Sequence, residues 1–383
     1  MSLFELVVVI IVGISALVYT GLLLSLFVGW LSLPWLPSGR AHQECRVSIV
    51  IAARNEAAHI RQCLETISRQ QYPLHLIDII IVDDNSEDRT REVVNAFTES
   101  KPEMNVTMWQ LSATGKSGKK AAVAYGVAQA QTSLILTTDA DCMVPGKWVS
   151  AMVNAYQSRQ PKIICGTVNY AGRRGLFQKF QALDFLSLIA AGAGATGLRK
   201  AFMGNAANMA FEKQVFEKLC KQRHDYELAS GDDVFLIQEV QKHYGSRAVC
   251  FLKNNETMVF TEPKATLDDM IMQRIRWATK ARAYKNFFPA FTAAAVLDFN
   301  FCITALCFLS IINPFFVVPL ACLYGVKIIV DAPLLLSIMK FMHQLALMKH
   351  YLWIQLLYPF YLTYTGFVSV FTKHYQWKDR RVS

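Results

Sequence analysis

The chain has 383 residues, room for one large domain or two ordinary ones, and 53% of them are apolar, which indicates membrane segments joined to a polar domain. The net charge of +10 comes without a basic block or an aromatic-interleaved patch, so it favours contact with a membrane surface and argues against nucleic acid. Nine cysteines stand singly, without zinc-site spacing, which indicates free thiols in a reducing compartment.

The first apolar run extends from Leu6 to Leu33 without a charged residue and is long enough to cross a bilayer with some tilt. It lacks the basic start and short apolar core of a secretory signal, so we expect a transmembrane anchor over residues 1–36. Only Glu5 precedes the run, whereas several arginines follow it: Arg40, Arg46 and Arg54. The positive-inside rule therefore predicts that the chain after the anchor is cytoplasmic, at the cell (inner) membrane.

From Val47 onward, short apolar runs alternate with amphipathic stretches. This predicts a helix capped by Ser86 and an amphipathic helix with Thr266 as N-cap and Asp269 completing a capping box. The alternation predicts a doubly wound α/β domain over residues 45–285, with a mixed, mostly parallel sheet and helices on both faces. The predicted strands are at 47–53, 76–84, 106–111, 133–139 and 163–168, and helices are expected at 56–70, 87–98, 119–131 and 266–284.

Residues 175–200 are apolar on most faces but contain Gln178, Gln181 and Asp184. The stretch is either a core helix or an interfacial helix on the membrane, and its basic flanks favour the interface. Within it, GAGATG (192–197) matches the GxGxxG pattern of dinucleotide sites. The preceding segment has helix periodicity rather than a strand, and no acidic residue follows at the expected spacing, so ordinary glycines of an interfacial segment are the favoured explanation.

The C-terminal part has apolar segments at about 287–312, 314–339 and 350–372, which predict membrane helices over 286–373, with a hairpin at Asn313–Pro314 and a basic tail, 374–383. Basic residues flank this part on both sides, which requires an even number of crossings, whereas three segments give an odd number. Asp298 and Asn300 make the first segment a candidate for partial insertion. In the second segment Lys327 and Asp331 can pair on one helix face, and a structural pair is favoured over a transport or acceptor role.

Acidic residues end the predicted strands. Asp139 and Asp141 close the strand in LILTTDADCMV (134–144), at the edge where open α/β sheets bind substrates. Two like charges this close repel unless a cation or a shared proton neutralises them, and hard oxygen ligands suit Mg²⁺ or Mn²⁺. The alternative is an N-cap for a helix near Pro145. Asp83 and Asp84 end another strand, where they can bind a base or ribose or cap the next helix.

Three further groups are ambiguous when taken singly: Asp232 and Asp233 at a helix start, Lys116, Lys119 and Lys120 in a turn suited to phosphates or to solvent, and Gln273, Arg276 and Trp277 on one helix face. Together with the strand-end carboxylates they match what transfer from a nucleoside-diphosphate donor requires. A metal neutralises the leaving diphosphate, an aspartate takes a proton from the attacking hydroxyl, and an aromatic plane holds the acceptor.

The chain resembles membrane-anchored family 2 glycosyltransferases, an inverting group with a GT-A fold that includes cellulose and hyaluronan synthases and ceramide glucosyltransferases. The resemblance covers about Val47 to Tyr284 and depends on ordered motifs: ARNE (53–56), IVDDNS (81–86), GKK (118–120), DAD (139–141), GNAANMAF (204–211), GDD (231–233) and QRIRW (273–277). It implies an enzyme that uses a nucleotide-sugar donor and Mg²⁺ or Mn²⁺.

The resemblance also implies roles for single residues. Asp233 would be the catalytic base and Asp141 would lead metal coordination, with Asp139 as a second metal ligand near the sugar. The family often has Glu before the base, whereas Asp232 stands here, so either aspartate remains a candidate. Other implied donor contacts are Arg54, Glu56, Asp83, Asp84, Lys119, Gln273 and Arg276, and the implied acceptor contacts are Asn205 and Trp277.

The sequence therefore predicts a membrane hexosyltransferase that inverts the sugar as it moves it to a lipid or lipid-linked acceptor, such as a glycolipid precursor of the cell envelope. One alternative is a processive polysaccharide synthase, although such enzymes usually have more membrane helices. From other classes, a membrane-anchored nucleotide-binding oxidoreductase would depend on GAGATG, and a non-catalytic scaffold would keep only the fold. Protein partners and the sugar are not indicated.

Overall fold

A computed structural model describes residues 1–36, 45–172, 175–222, 232–279, 286–372, 375–377 and 380–382, without the side chains at 221–222, 232, 375–377 and 380–382. Contacts divide the chain into two compact units. The first consists of Met1–Ser32, Arg173–Lys200 and Lys264–Tyr375, and the second of Leu33–Gly172, Ala201–Pro263 and Gln376–Ser383. The predicted domain limits at 45 and 285 remain predictions.

The second unit contains a seven-stranded sheet, in which β1 to β4 are parallel, β7 is antiparallel to β4 and β5, and β5 is parallel to β8. This confirms the predicted mixed, mostly parallel sheet. In spatial order the strands are β3 (Asn105–Gln110), β2 (Ile77–Asp83), β1 (Val47–Ala53), β4 (Leu134–Asp139), β7 (Met209–Glu212), β5 (Ile163–Cys165) and β8 (Val249–Phe251). Two-stranded sheets pair β6 (Val168–Tyr170) with β9 (Val259–Thr261) and β10 (Tyr375–Trp377) with β11 (Arg380–Val382).

The position of a strand in this sheet explains its sequence. Every residue of β2 is buried, and in β1 and β4 all but one are, because a central parallel strand is covered on both faces. Strand β3 lies at the edge and alternates between exposed and half-buried residues. The continuous apolar runs and the alternating VTMWQ segment therefore report central and edge positions.

The helices of the second unit are α2 (Ile60–Ile67), α3 (Thr90–Ser100), α4 (Lys119–Gln129), α5 (Trp148–Arg159), α7 (Lys213–Gln222) and α8 (Asp232–Tyr244). The predicted Ser86 cap is wrong, because α3 begins only at Thr90 and the Ser86 hydroxyl instead accepts a hydrogen bond from the backbone N–H of Asn55. Helix α4 approaches the sheet closely at Gly126, where a Cβ would lie 2.6 Å from a methyl carbon of Val50.

The first unit is helical. Its helices are α1 (Leu3–Ser32), α6 (Leu176–Gly197), α9 (Leu267–Ala278), α10 (Phe287–Ile312), α11 (Val317–Phe341) and α12 (Tyr351–Phe371). Thr266 caps α9 as predicted, since its hydroxyl accepts from the N–H of Asp269 at 3.2 Å. Helix α1 packs on α10 and α11 through an apolar cluster that includes Val12, Tyr19, Phe299, Ile303, Phe316 and Leu323.

Three helices in the described ranges are long and apolar enough to cross a membrane: Leu3–Ser32, Phe287–Ile312 and Pro314–Phe341, with mean hydropathies of 2.7, 2.1 and 1.9. Helix α10, which Asp298 and Asn300 mark for partial insertion, is one of these candidates, and α12 is not. Which of the C-terminal segments cross the membrane stays a prediction. Asp298 accepts a hydrogen bond from the Ser15 hydroxyl at 2.6 Å, so its carboxylate is compensated within the helical unit.

The GAGATG segment lies inside α6, where it packs against α1. A Cβ on Gly197 would overlap the backbone carbonyl of Gly29, and one on Gly194 would overlap that of Leu26. Small residues at such positions let two helix backbones approach closely. Gly194 and Gly197 thus have a packing role, and the segment lies inside a helix rather than in the strand–turn–helix unit of a dinucleotide site.

A buried polar cluster joins α1, α11 and α12. Lys327 donates to Asp331 at 3.0 Å, as the sequence spacing predicted. The same carboxylate accepts from the Tyr19 hydroxyl at 2.6 Å and from the Gln355 amide at 3.0 Å. Opposite charges that neutralise one another, with further hydrogen bonds to the carboxylate, form the favoured structural pair.

Candidate active site

Several of the predicted donor residues, among them Asp83, Asp84 and Asp139, lie at the ends of strands that finish at one edge of the sheet. Strands β1, β2 and β4 are parallel, and their register sets Ala53 opposite Asp83 and Ala52 opposite Asp139. The carboxyl ends of these strands, with the aspartates that close them, therefore lie side by side. This is the edge at which open α/β sheets bind ligands.

Lys119 pairs with Asp139, one of these strand-end aspartates. Its ammonium lies 2.5 Å from Asp139 Oδ1, and the two side chains are 36% and 31% exposed. Burial alone would lower the pKa of Lys119, but the carboxylates of Asp139, Asp141 and Asp233 outweigh it and raise that pKa. The preceding Gly118, at φ +97°, donates its N–H to Asp84 Oδ2 at 2.9 Å. The start of α4 thus connects residues that are distant in sequence.

A small cavity opens beside Lys119 and has Asp139 and Asp233 in its wall. Asp84 and Asp141 are not among the described residues that line it. Asp233 lies in the first turn of α8 and accepts from the N–H of Val234 at 2.8 Å, as an acidic residue at a helix start does. The rest of the lining is mainly apolar: Val50, Ala52, Val123, Thr137, Thr138, Ala206, Met209, Phe211, Phe216 and Leu236.

Asp139 and Asp141 do not cap the following helix. Helix α5 begins at Trp148, its N-cap is Lys147, and no side chain caps it. Burial, followed by the charges of Asp141 and Asp139, raises the pKa of the Cys63 thiol, so both carboxylates lie near one point. The alternative capping interpretation of the pair is therefore not supported.

Within the described ranges, no group of three or more His, Cys, Asp or Glu side chains is arranged to hold a metal ion. Magnesium is usually held by one or two carboxylates, with substrate phosphates and water as the other ligands. Asp139 provides hard oxygen atoms in the wall of the cavity and is partly open to solvent, and Asp141 follows it two positions later in the chain. The donor set therefore fits a divalent cation that is shared with a phosphorylated ligand.

The ARNE and DDNS loops bind each other. The buried Arg54 guanidinium donates to the carbonyls of Asp84 at 2.8 Å and Asn85 at 2.9 Å, and the N–H of Glu56 donates to the Thr90 hydroxyl at 2.8 Å. Asp83 is buried and accepts from the N–H of Ser86 at 3.2 Å. The sequence predicted donor contacts or helix caps for these motifs, and it did not predict that the two loops also hold two strand ends together.

The remaining predicted site residues are not among the described residues that line the cavity. Asn205 begins a short helical turn, Ala206–Asn208, and its side chain accepts from the N–H of Ala207 at 3.0 Å. Asp232 starts α8, but its side chain, like all of Gly231, lies outside the described part of the chain. Gln273, Arg276 and Trp277 are half-buried on α9 and belong to the first unit.

Asn208, which the sequence did not single out, organises the loop of the GNAANMAF motif. It accepts from the Trp148 indole at 2.8 Å and donates to the carbonyls of Thr167 and Thr257 at 2.7 and 2.9 Å. Gly166 lies against it, because a Cβ there would be 2.5 Å from the Asn208 amide. The sequence feature that could have indicated this role is that GNAANMAF contains a second asparagine after Asn205.

Comparison with known proteins identifies this part of the chain. Residues 48–220 match the family model for Glycosyl transferase family 2. The chain therefore carries a glycosyl transferase family 2 domain, and its sheet is that of a GT-A-like fold.

Relatives agree with this assignment over part of their length. Glycosyltransferase AglE of Haloferax volcanii is 26% identical over 34% of this chain and 41% of its own, and beta-monoglucosyldiacylglycerol synthase of Synechocystis is 31% identical over 30% and 23%. The chain thus spans less than half the length of these relatives. Among solved structures, a mannosyltransferase from Pyrobaculum calidifontis in complex with GDP-Man and Mn²⁺ has a TM-score of 0.60 at 20% identity, covering 96% of this chain and 99% of its own.

Proposed function

We propose that the protein is a membrane glycosyltransferase that moves a hexose, with inversion, from a nucleotide sugar to a lipid or lipid-linked acceptor. The observation that carries the proposal is the meeting of Lys119, Asp139 and Asp233 around one cavity at the carboxyl edge of the sheet. Family 2 membership of the domain supports it. The named lipid product of one relative, beta-monoglucosyldiacylglycerol synthase, is the basis for a lipid acceptor.

In the proposed reaction an acceptor oxygen attacks the anomeric carbon while the bond from that carbon to the diphosphate breaks. Asp233 takes the hydroxyl proton, and attack from the face opposite the leaving group inverts the carbon. Lys119 lies beside Asp139, where its positive charge can interact with a phosphate oxygen. The base or ribose of the donor would contact Asp83 or Asp84, with Arg54 and Glu56 in the adjoining loop.

Asp139 and Asp141 would hold Mg²⁺ or Mn²⁺, with Asp141 as the leading ligand. When bound, the ion stabilises the negative charge that develops on the departing diphosphate. Mn²⁺ in the mannosyltransferase complex supports a divalent ion in this fold, without distinguishing the two metals. On α9, Gln273 and Arg276 would bind the diphosphate and Trp277 would hold the acceptor.

We further propose that the protein is integral to the cell membrane with its catalytic domain in the cytoplasm. Among the described C-terminal helices, α10 and α11 have the length and hydropathy expected of a span, and two crossings would return the chain to its starting side. Two crossings would also agree with basic flanks on both sides of this part. The packing of α6 against the last turn of α1 supports an interfacial position for α6.

The direct test supplies purified protein with a panel of UDP- and GDP-sugars and a membrane lipid extract, and identifies products by mass spectrometry. We expect one donor to give a glycolipid that carries a single sugar. Chelation of divalent ions should abolish the product, and Mg²⁺ or Mn²⁺ should restore it. Asp141→Asn should need at least about tenfold more metal for half-maximal rate, whereas Glu256→Gln, in an exposed pair with Lys147, should not.

The same assay separates the alternatives. A processive synthase would yield a ladder of products that lengthens with time, and a scaffold would consume no donor. Purified protein that carries a bound nicotinamide or flavin would instead support the oxidoreductase interpretation. Failure of every donor with every lipid fraction would contradict the proposed function.

A further inference from the structure

A buried ion pair joins α6 to α9 inside the helical unit. Asp184 of α6 accepts from Nε of Arg274 at 2.6 Å, and the two side chains are 3% and 5% exposed. Neither residue was predicted as a site residue. Arg274 nevertheless lies within QRIRW, between Gln273 and Trp277.

The guanidinium of Arg274 contacts both Gln273 and Trp277. Its Nη1 donates to Oε1 of Gln273 at 2.6 Å. Its central carbon lies 4.4 Å from the centre of the Trp277 ring, within the range of a cation–π contact. On another side Trp277 meets the Phe185 ring of α6 at 5.8 Å. The buried Arg274 thus contacts both Gln273, which we propose to bind the diphosphate, and Trp277, which we propose to hold the acceptor.

Helix α12 closes the arrangement from a third direction. The hydroxyls of Tyr358 and Tyr361 donate to Asp184 at 3.2 and 3.4 Å. Their rings pack around Phe180, one turn before Asp184 on α6. Asp184 therefore accepts from three groups on two other helices, which fixes where its carboxylate, and so Arg274, can lie.

We propose that Asp184 is a positioning residue for glycosyl transfer, acting through Arg274 on Gln273 and Trp277. A carboxylate that pairs with a planar guanidinium holds it in one favourable orientation. A lysine ammonium in its place would not be fixed in this way. Groups that bind reacting partners lose rate steeply when they shift by an ångström. The inference rests on the proposed function, because it assigns Asp184 to the set-up of that reaction.

The test compares Asp184→Asn and Arg274→Lys with Asp331→Asn as the matched control. Asp331 is also a buried carboxylate of this unit that pairs with a cation and accepts from a tyrosine hydroxyl. Steady-state kinetics are measured with donor and acceptor varied in turn, alongside thermal unfolding in detergent. Trp277 is observed separately, as the difference in acrylamide quenching between each protein and its Trp277→Phe counterpart.

We expect kcat/KM to fall about 10- to 100-fold in Asp184→Asn and in Arg274→Lys. Quenching of Trp277 should rise in both variants, and the double variant should be little worse than Arg274→Lys alone. Asp331→Asn should unfold at lower temperature but keep its kinetics and its Trp277 signal. If Asp184→Asn does not fold, Tyr361→Phe removes one hydroxyl only and should lower kcat/KM by about fivefold.

The opposite results overturn the inference. Wild-type kinetics and quenching in a folded Asp184→Asn, or equal kinetic losses in Asp331→Asn, would leave Asp184 with a purely structural role. Inactivity of the wild-type protein towards every donor would instead refute the proposed function. In that event the Trp277 quenching still reports whether Asp184 positions Trp277.

Discussion

Two Lys–Asp pairs in this molecule have the same chemistry and opposite surroundings. Lys119 and Asp139, at the sheet edge, are 36% and 31% exposed beside a cavity. Lys327 and Asp331, in the helical unit, are 1% and 9% exposed, and Tyr19 and Gln355 also bond to that carboxylate. The first pair can exchange partners with an incoming phosphate or cation. The second has its hydrogen bonds satisfied inside the protein.

The difference predicts which property each region controls. Charges left open to solvent contribute little to folding, so substitutions there should change the reaction more than the stability. A buried charge that loses its partner keeps the cost of desolvation, so substitutions of Lys327 or Asp331 should change the stability more than the reaction. Variants at the sheet edge and variants of this buried pair should therefore give opposite results in the same pair of assays.

The largest effect is expected for Asp233→Asn. The amide cannot accept a proton from the acceptor hydroxyl, so the transfer rate should fall by about 10²- to 10⁴-fold. Donor affinity, measured by isothermal titration calorimetry, should change little, and so should the unfolding temperature. The control is Glu239→Gln on the same helix, which removes an acid that pairs with His243 rather than one in the cavity. Unchanged turnover in Asp233→Asn would remove this residue from the reaction.

The converse variant is Lys327→Met, which leaves Asp331 buried without its cation. We expect a loss of about 3–5 kcal/mol in unfolding free energy. The rate per folded molecule should stay close to that of the wild type. Replacing both partners, as Lys327→Met with Asp331→Leu, should recover much of the stability, because no charge is then buried alone. If Lys327→Met lost transfer activity at an unchanged unfolding temperature, the Lys327–Asp331 pair would take part in the reaction. The contrast with the Lys119–Asp139 pair would then be wrong.

Features set by residues that are close in the chain could be predicted from the sequence, whereas features that join distant residues could not. The sheet, its parallel strands and the carboxylates at their ends follow from local patterns, because a buried parallel strand and its polar end are adjacent in the chain. The Lys327–Asp331 pair was predictable because one helix turn joins the two residues. Asp184 and Arg274 are 90 positions apart, and no local period connects them.

Two local patterns were decided by partners that the sequence does not display. Ser86 was a reasonable cap for α3, but its hydroxyl accepts from the N–H of Asn55 on another loop. GAGATG matches a dinucleotide pattern, but the backbone of α1 lies against Gly194 and Gly197, in agreement with the favoured explanation as ordinary glycines. In both cases the deciding partner came from a distant part of the chain, which no window of neighbouring residues contains.

A smaller effect, on packing alone, is expected for Gly197→Ala. The added methyl group would overlap the Gly29 carbonyl, and the resulting separation of α6 from α1 should cost about 1–3 kcal/mol. The matched control is Gly13→Ala on α1, where no atom lies within 4 Å of the new Cβ. Thermal unfolding in detergent should therefore distinguish the two variants. Equal unfolding temperatures would show that the close approach of these helices contributes nothing to stability.

The smallest effect concerns a carboxylate near the sheet edge that serves structure. Burial alone would raise the pKa of Asp88, but hydrogen bonds from Thr90 and from the Ala57 N–H outweigh it and hold that pKa below its ordinary value of 3.8. A lowered pKa stabilises the fold above the ordinary value and loses this contribution as the pH falls through the folded-state pKa. Asp88→Asn should thus be less stable at neutral pH and lose less further stability between about pH 5 and pH 3.

The test measures the unfolding free energy of the wild type and of Asp88→Asn by denaturant unfolding at each pH. Transfer rates of both proteins are measured at neutral pH. Because Asp88 joins the ARNE loop to the start of α3 and does not line the cavity among the described residues, its substitution should leave the rate nearly unchanged. Parallel pH curves for the two proteins would contradict the stabilising role. A large loss of rate would mean that fastening the two loops also sets the geometry of the donor site, so that stability and reaction are coupled at this edge of the sheet.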